Sequence, residues 1–130
     1  MIIGTGLDLI EVKRIKKAMQ TELFFTKNFT GDEIAMFESR KSNPEVVAGN
    51  FAAKEAVLKC LGYGLFDMPL IDIEVLRKES GEPYIILHGK AKLLAQEIGA
   101  EHIHISITHI AEFAAAQAIA EGSAYDQSSI

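Results

Sequence analysis

A chain of 130 residues is long enough for one domain with a buried core and too short for two domains of ordinary size. Its composition, 48% hydrophobic and 24% charged, is that of a globular protein, and the formal net charge of −5 disfavours nonspecific binding to nucleic acid. The single cysteine excludes an internal disulfide and suits a cytoplasmic location. No apolar run approaches the ~20 residues of a membrane-spanning helix, so no membrane partner is expected.

The first two elements in chain order are a strand and a short basic helix. Residues 2–10 are mostly apolar and predict a strand, although Asp8 lies in the middle of them. Val12, Ile15 and Met19 recur at the spacing of one helical face, so a helix follows with these residues directed inward. The other faces of that helix carry a basic cluster: Lys13, Arg14, Lys16 and Lys17.

Two further helices are predicted from their N-terminal signals. Thr30 and Glu33 fit a capping box, in which each side chain accepts a hydrogen bond from the backbone N–H of the other residue. Asn43 is a suitable cap for a helix that has Pro44 in its first turn. Gly62 favours the end of this long helix.

The spacing of apolar residues then changes to that of strands. Apolar and acidic residues alternate over 71–75, which predicts a half-buried strand, and residues 84–87 form a second strand after a turn signal at 80–83. The two strands are therefore predicted to form a hairpin. A short helix over 90–98 follows and ends at Gly99.

Two more segments complete the predicted domain. Isoleucines alternate with polar residues over 102–108, so this strand has one isoleucine face. Residues 113–120 are rich in alanine, which favours a helix by propensity, but they could also return as a strand beside the preceding one. We expect one domain over 1–122 and a flexible tail over 123–130.

Asp8, Glu55 and Lys59 are the residues that most favour a catalytic site. Glu55 and Lys59 share a helical face, and an exposed salt bridge would by itself explain that pair. A carboxylate inside an apolar strand is costly unless something pairs with it, and Asp8 with Glu55 would supply the oxygen ligands that Mg²⁺ prefers. Lys59 would then lie one helical turn from the metal, placed to neutralise a phosphate oxygen.

Four segments resemble the signature blocks of one enzyme family. They are GTGLDLIEVKRI (4–15), FAAKEAVLKCLGYG (51–64), GEPYI (81–85) and SITH (106–109). In this order and at this spacing they resemble the holo-[acyl-carrier-protein] synthases, small bacterial 4′-phosphopantetheinyl transferases. The resemblance covers nearly the whole chain. It implies a Mg²⁺-dependent transfer of 4′-phosphopantetheine from coenzyme A to a serine of apo-acyl carrier protein, giving 3′,5′-ADP and the holo-protein used in fatty acid biosynthesis.

The resemblance also implies an architecture and an assembly. The expected fold is α+β, with an antiparallel sheet packed against helices and with 113–120 as a strand. The expected assembly is a homotrimer with active sites at the subunit interfaces. The sequence favours an oligomer as well, because the isoleucine face of 102–108 and the alanine-rich segment offer more apolar strand surface than a thin monomeric layer can cover.

Site residues follow from the matched positions. The resemblance implies that Asp8 and Glu55 bind the metal. The expected catalytic residues are Asp8, Glu55, Lys59 and His109. The expected coenzyme A contacts are Lys54, Lys59, Gly62, Ser106 and His109. The expected contacts to the acidic carrier protein are Lys13, Arg14 and Lys17. The base that takes the serine proton is left open among Glu55, a water on the metal, Asp32 and His109.

Two positions depart from the family pattern. Asn50 stands where arginine is usual, and Glu82 stands where lysine is usual. Both remove positive charge from regions expected near the nucleotide, where Lys78, Lys54 or a neighbouring subunit could compensate. They motivate one alternative, a noncatalytic trimer that binds coenzyme A or a nucleotide. A second alternative keeps the chemistry but transfers the group to a peptidyl or polyketide carrier domain.

Overall fold

Two antiparallel sheets and five α-helices make up the computed structural model over the residues it describes, 1–62 and 68–123. The helices are α1 (Val12–Ala18), α2 (Glu22–Asn28), α3 (Gly31–Ser39), α4 (Pro44–Cys60) and α5 (Gly89–Glu97). The strands are β1 (Ile2–Glu11), β2 (Ile73–Arg77), β3 (Pro83–Leu87), β4 (His102–His109) and β5 (Phe113–Glu121). One sheet has the order β1-β5-β4, and β2 and β3 form a hairpin, so the predicted α+β class with antiparallel sheets is confirmed.

Helix α4 is the centre of the fold. Along most of its length the side chains are fully buried, and many of them are alanines that let strands approach closely. Two glycines of β1 continue this close packing, because a Cβ on Gly4 or Gly6 would collide with the backbone carbonyl of Cys60 or Ala56. The glycines therefore let β1 lie directly on α4, which brings the middle of the strand against the middle of the helix.

The alanine-rich segment 113–120 is a strand, as the family resemblance predicted. Its alternate residues Ala114, Ala116, Ala118 and Ala120 are buried. Strand β5 lies between β1 and β4 and pairs with both, so its backbone hydrogen bonds are satisfied in the sheet. Burial against α4 and two-sided pairing thus outweigh the helix propensity of alanine.

Most predicted boundaries agree with the structure, including the capping box at Thr30 and Glu33 and the glycines after α4 and α5. Helix α2 was missed. The strand predicted over 71–75 begins at Ile73, because Leu70–Asp72 is a 3₁₀ turn. Its predicted alternation is also wrong, since Glu74 is buried beside Thr30 and His88.

The apolar surface that could join subunits is on the other face of the sheet from the one predicted. Ile103, Ile105 and Ile107 pack against the core of their own chain. On the opposite face, Leu7 and Leu9 of β1 are each 67% exposed. An interface between subunits would therefore cover the leucines of β1 and not the isoleucines.

Met1 and Gly122 meet at the edge of this sheet. The backbone amide of Gly122 donates to the carbonyl of Met1, and the hydroxyl of Ser123 donates to Glu101 at 2.7 Å. The rest of the predicted tail, 124–130, lies outside the described residues. Within 1–62 and 68–123, none of the helices combines the length and the apolar character needed to cross a membrane.

Candidate active site

Asp8 lies at the junction of β1 and α4. Alternation along β1 directs it to the same side as Gly4 and Gly6, and it is 8% exposed. The ammonium of Lys59 donates to Asp8 Oδ1 and to the carbonyl of Leu7, both at 3.0 Å. The other carboxylate oxygen, Oδ2, is buried and has no hydrogen-bond partner. A buried acceptor left without a donor indicates a place for a cation or a proton.

Glu55 supplies the second carboxyl group of this site. Burial raises its pKa first, and the adjacent Asp8 raises it further, to about 7, while Lys59 and Arg14 act in the opposite direction. In a site that is partly shielded from water, ionising two neighbouring carboxyl groups costs free energy, because their charges repel each other. Near neutral pH, a bound cation would therefore stabilise the ionised form of both carboxylates.

These two side chains fit a magnesium ion that takes its other ligands from water and phosphate. Oxygen donors are of the right type, and Asp8 Oδ2 is unsatisfied. In the described part of the chain, no group of three or more His, Cys, Asp or Glu side chains could form a complete metal cage.

Lys54 is not available to coenzyme A in this structure. Its side chain is fully buried, and its ammonium contacts Glu33 Oε1 at 2.7 Å and the carbonyls of Leu70 and Ile73. Burial lowers the pKa of Lys54 and raises that of Glu33, and each charge opposes the shift of the other. The ammonium of Lys54 is therefore held in the interior, which disfavours its predicted contact with coenzyme A and its predicted compensation for the charge missing at position 50 or 82.

The two positions that depart from the family pattern lie in different surroundings. Asn50 is fully buried, and its amide donates to Glu33 Oε2 at 3.3 Å and to the Val75 carbonyl at 2.9 Å. It was expected beside the nucleotide, but in this chain it belongs to the interior. Glu82 lies in the exposed turn between β2 and β3 and pairs with Lys78 at 3.4 Å. Lys78 therefore offsets the negative charge at Glu82 locally.

Ser106 and His109 are not in the Asp8 site of the same chain. Ser106 lies opposite Gln117, which lies opposite Leu7, so Ser106 is on the exposed face of the sheet, away from α4. His109 Nδ1 is 3.0 Å from Glu45 Oε1, at the first turn of α4. Ten residues of helix, about 15 Å, separate Glu45 from Glu55. One chain therefore presents the predicted site as two separate halves.

The basic helix α1 borders the site. Its lysines and arginine are exposed while Val12 and Ile15 are buried, as predicted. A cleft of about 580 Å³ runs from α1 to α4. It is lined by Leu9, Arg14, Phe24, Phe51, Glu55 and Phe113, among others. A partner bound on α1 would therefore reach Glu55 through a mostly apolar cleft.

Two features of the site region were not found from the sequence. Glu33 was assigned only to the capping box, but it is also the buried partner of Lys54. Phe24 of α2 stacks on Phe51, with ring centroids 5.9 Å apart, and forms a wall of the cleft. Gly62, at a φ of +87°, ends α4 as predicted and is the last described residue before the gap at 63–67. The pairing of Lys54 with Glu33 depends on the tertiary fold, so no local pattern could indicate it.

Comparisons with known proteins show the family and the fold of this chain. The family model of the 4′-phosphopantetheinyl transferase superfamily matches residues 4–118. The chain is 45% identical to the holo-[acyl-carrier-protein] synthase of Clostridium perfringens, over 96% of this chain and 98% of that protein. Among solved structures, the holo-ACP-synthase of Plasmodium yoelii is 37% identical with a TM-score of 0.82, covering 95% of this chain and 97% of that one. The Bacillus anthracis enzyme in complex with CoA (3′,5′-ADP) is 34% identical with a TM-score of 0.77, covering 95% and 99%.

Proposed function

Because the chain belongs to the 4′-phosphopantetheinyl transferase superfamily, we propose that it transfers 4′-phosphopantetheine from coenzyme A to a serine of apo-acyl carrier protein. The products are holo-acyl carrier protein and 3′,5′-ADP. The observation that supports this most is the meeting of Asp8, Glu55 and Lys59 at the crossing of β1 and α4. A relative of the same fold is described in complex with CoA, which supports coenzyme A as the donor.

Asp8 and Glu55 would hold Mg²⁺ in this reaction. When bound, the ion would offset the negative charge of the pyrophosphate oxygens of coenzyme A. Lys59 keeps about half of its side chain exposed while its ammonium remains beside Asp8. Its positive charge is thus placed to stabilise the oxygen of the leaving 3′,5′-ADP, where negative charge increases as the phosphorus–oxygen bond breaks.

The serine proton needs an acceptor, and the geometry narrows the candidates. Asp32 lines a separate depression with Glu74 and His88. His109 is beside Glu45 at the other end of α4. Glu55 is next to Asp8, where the reacting phosphates are proposed to bind. Within one chain, Glu55 is therefore the best placed protein group for this step.

A homotrimer would complete the site. The uncovered sheet face carries Leu7 and Leu9 together with Ser106, so an interface on this face would bury the leucines and bring Ser106 close to another subunit. His109 of a neighbouring subunit could then approach the phosphates held at Asp8. The separation of the two halves within one chain supports an active site shared between subunits.

The carrier protein would dock on α1. Acyl carrier proteins are acidic, and this helix exposes Lys13, Arg14 and Lys17, of which Arg14 lines the cleft that contains Glu55. Opposite charges raise the rate of association and orient the carrier. A fatty-acid carrier in the cytoplasm is the acceptor that we propose. The peptidyl or polyketide carrier remains the second acceptor to test.

The direct test is to incubate the pure protein with coenzyme A, Mg²⁺ and apo-acyl carrier protein and to measure intact mass. We expect the carrier to gain one phosphopantetheine group and 3′,5′-ADP to appear in equal amount. Asp8→Asn protein with the same circular dichroism spectrum is the matched control. Binding of coenzyme A without any transfer, to fatty-acid or other carriers, would instead indicate the noncatalytic alternative.

A further inference from the structure

A polar cluster is buried on the side of α4 that faces α3 and β2, outside the site described above. Glu33 and Lys54 form an ion pair at 2.7 Å, and both side chains are completely buried. Glu33 Oε2 also accepts from the backbone N–H of Val75 at 3.1 Å. The only buried side-chain atom of this cluster without a hydrogen-bond partner, among the described residues, is Asn50 Oδ1.

This cluster ties α4 to its neighbours at two points one helical turn apart. Lys54 donates to the carbonyls of Leu70 and Ile73, and Asn50 donates to the carbonyl of Val75. The carbonyl acceptors belong to the segment from the 3₁₀ turn into β2, which is fixed by its pairing with β3. Rotation of α4 about its axis would break contacts at both points together.

Glu55 directly follows Lys54 in the sequence. Successive helical residues are about 100° apart around the axis, so Lys54 and Glu55 occupy adjoining faces. A third face is fixed where Ala56 and Cys60 contact the glycines of β1. The direction in which Glu55 projects is therefore determined by contacts on either side of it.

Stability alone gives little reason for a buried ion pair. Replacing such a pair by apolar residues of similar size is often neutral or stabilising, because the desolvation of two charges is avoided. What the pair adds is directionality. The ammonium can keep its hydrogen bonds to a carboxylate and two carbonyls in only one orientation of the helix, whereas an apolar contact is compatible with several.

We propose that Lys54 and Glu33 are positioning residues, which set the rotation of α4 so that Glu55 meets Asp8 in the geometry that Mg²⁺ requires. This inference rests on the proposed function, in which Asp8 and Glu55 bind the metal. It concerns side chains that do not touch the substrate or the ion and that act only through the helix they hold.

The test compares metal binding with stability in the full-length protein. The variant Glu33→Gln/Lys54→Met removes both charges and keeps a side chain at 33 that can cap α3. Leu94→Ala, in the core contact of α5, is the matched control for a general loss of stability. Mn²⁺ binding in the presence of coenzyme A is measured by electron paramagnetic resonance, and thermal unfolding is recorded alongside.

We expect the double variant to bind Mn²⁺ about 10- to 100-fold more weakly, as is usual when a supporting contact of a metal ligand is lost. Its KM for the carrier protein should hardly change, and Leu94→Ala should bind Mn²⁺ normally. Asn50→Ala, which keeps the ion pair, should weaken Mn²⁺ binding by a smaller factor. This milder variant keeps the test decisive if the double variant does not fold.

Normal Mn²⁺ binding in a folded double variant, or in Asn50→Ala where the double variant does not fold, would overturn the inference and leave the proposed function intact. Equal weakening in Leu94→Ala would also overturn it, because the effect would then follow stability. Absence of Mn²⁺ binding by the wild-type protein would refute the metal assignment, and the inference with it. The three results are distinguishable because the wild-type protein is measured first.

Discussion

Helix α4 carries two lysine–carboxylate pairs whose surroundings are opposite. Lys59 and Asp8 meet at 3.0 Å with half of the lysine exposed, whereas Lys54 and Glu33 meet at 2.7 Å with nothing exposed. In the buried pair both carboxylate oxygens have partners, but in the other pair Asp8 Oδ2 has none. A lysine and a carboxylate thus form a fully hydrogen-bonded structural contact on one side of the helix and, on the other side, the unsaturated pair that we propose to be reactive.

The largest effect should come from the unsaturated pair. Asp8→Asn keeps the shape of the side chain but removes the charge that would hold Mg²⁺, so transfer should fall by about 10²–10³ or more in kcat. Intact mass of the carrier protein measures the transfer, and circular dichroism should be unchanged. Near-normal turnover of Asp8→Asn at low Mg²⁺ would mean that the metal binds elsewhere and that the two lysine–carboxylate pairs do not differ in function.

The buried pair should give the opposite result. Lys54→Met leaves the buried Glu33 carboxylate without its counter-ion, which typically costs about 3–5 kcal/mol of stability. Lys59→Met removes a half-exposed partner and should cost less stability than Lys54→Met, although it should abolish most of the transfer. Urea unfolding of the two variants measures both costs. Equal destabilisation would contradict the assignment of one pair to structure and the other to chemistry.

The sequence indicated the reactive pair better than the structural one. Asp8 was recognisable because a carboxylate interrupts an apolar strand, and Glu55 with Lys59 because they share a helical face. Lys54 could not be separated from Lys59 in the same way. Alanines occupy several faces of α4, so the local pattern does not show whether Lys54 or Lys59 is buried. Its partner Glu33 lies 21 residues earlier and meets it only in the folded chain.

Local sequence patterns also did not show which face of the sheet is covered. Alternation over 102–108 correctly separated the isoleucine face from the polar face. Which of these faces is covered depends on where α4 lies, and the helix covers the isoleucines. Leu7 and Leu9, which remain exposed, lie in a strand whose two faces are both largely apolar. Helix α2 was missed because its seven residues bury no side chain completely and show no clear apolar face.

A smaller effect is expected in the dependence of stability on pH. The pKa of Glu55 in the folded protein, about 7, is above its ordinary value of 4.5. Protonated Glu55 therefore stabilises the fold below pH 4.5, and this contribution is lost as the pH rises through 7. Without metal, Glu55→Gln should melt a few degrees higher than the wild type at pH 8, and the difference should shrink towards pH 5. Thermal unfolding in EDTA measures it.

The matched control for this experiment is Glu82→Gln, because that carboxylate is exposed in a turn. It should not change the pH profile. If Glu55→Gln melts at the same temperature as the wild type at every pH, then Glu55 is not forced against Asp8 in the metal-free protein. The two carboxylates would then not form one unsaturated site.

The smallest effect concerns the surface next to the unsaturated pair. Arg14 lines the cleft with Glu55, and its charge acts on that carboxyl group. It can also bind a carboxylate of the carrier through two parallel hydrogen bonds, which a lysine cannot do. Arg14→Ala should therefore raise the KM for the carrier protein about tenfold, in line with the loss of one charged contact, and leave the KM for coenzyme A nearly unchanged.

Salt distinguishes docking from a role of Arg14 in the chemistry. Exposed charges are screened over about 8–10 Å at physiological ionic strength, so the wild-type KM for the carrier should rise with added NaCl, and that of Arg14→Ala should rise less. Lys27→Ala, which changes an exposed lysine of α2 outside this cleft, is the control and should keep the wild-type salt dependence. Equal changes in KM for both substrates would mean that Arg14 acts on Glu55 itself. In that case α1 would belong to the reactive site and not only to the docking surface.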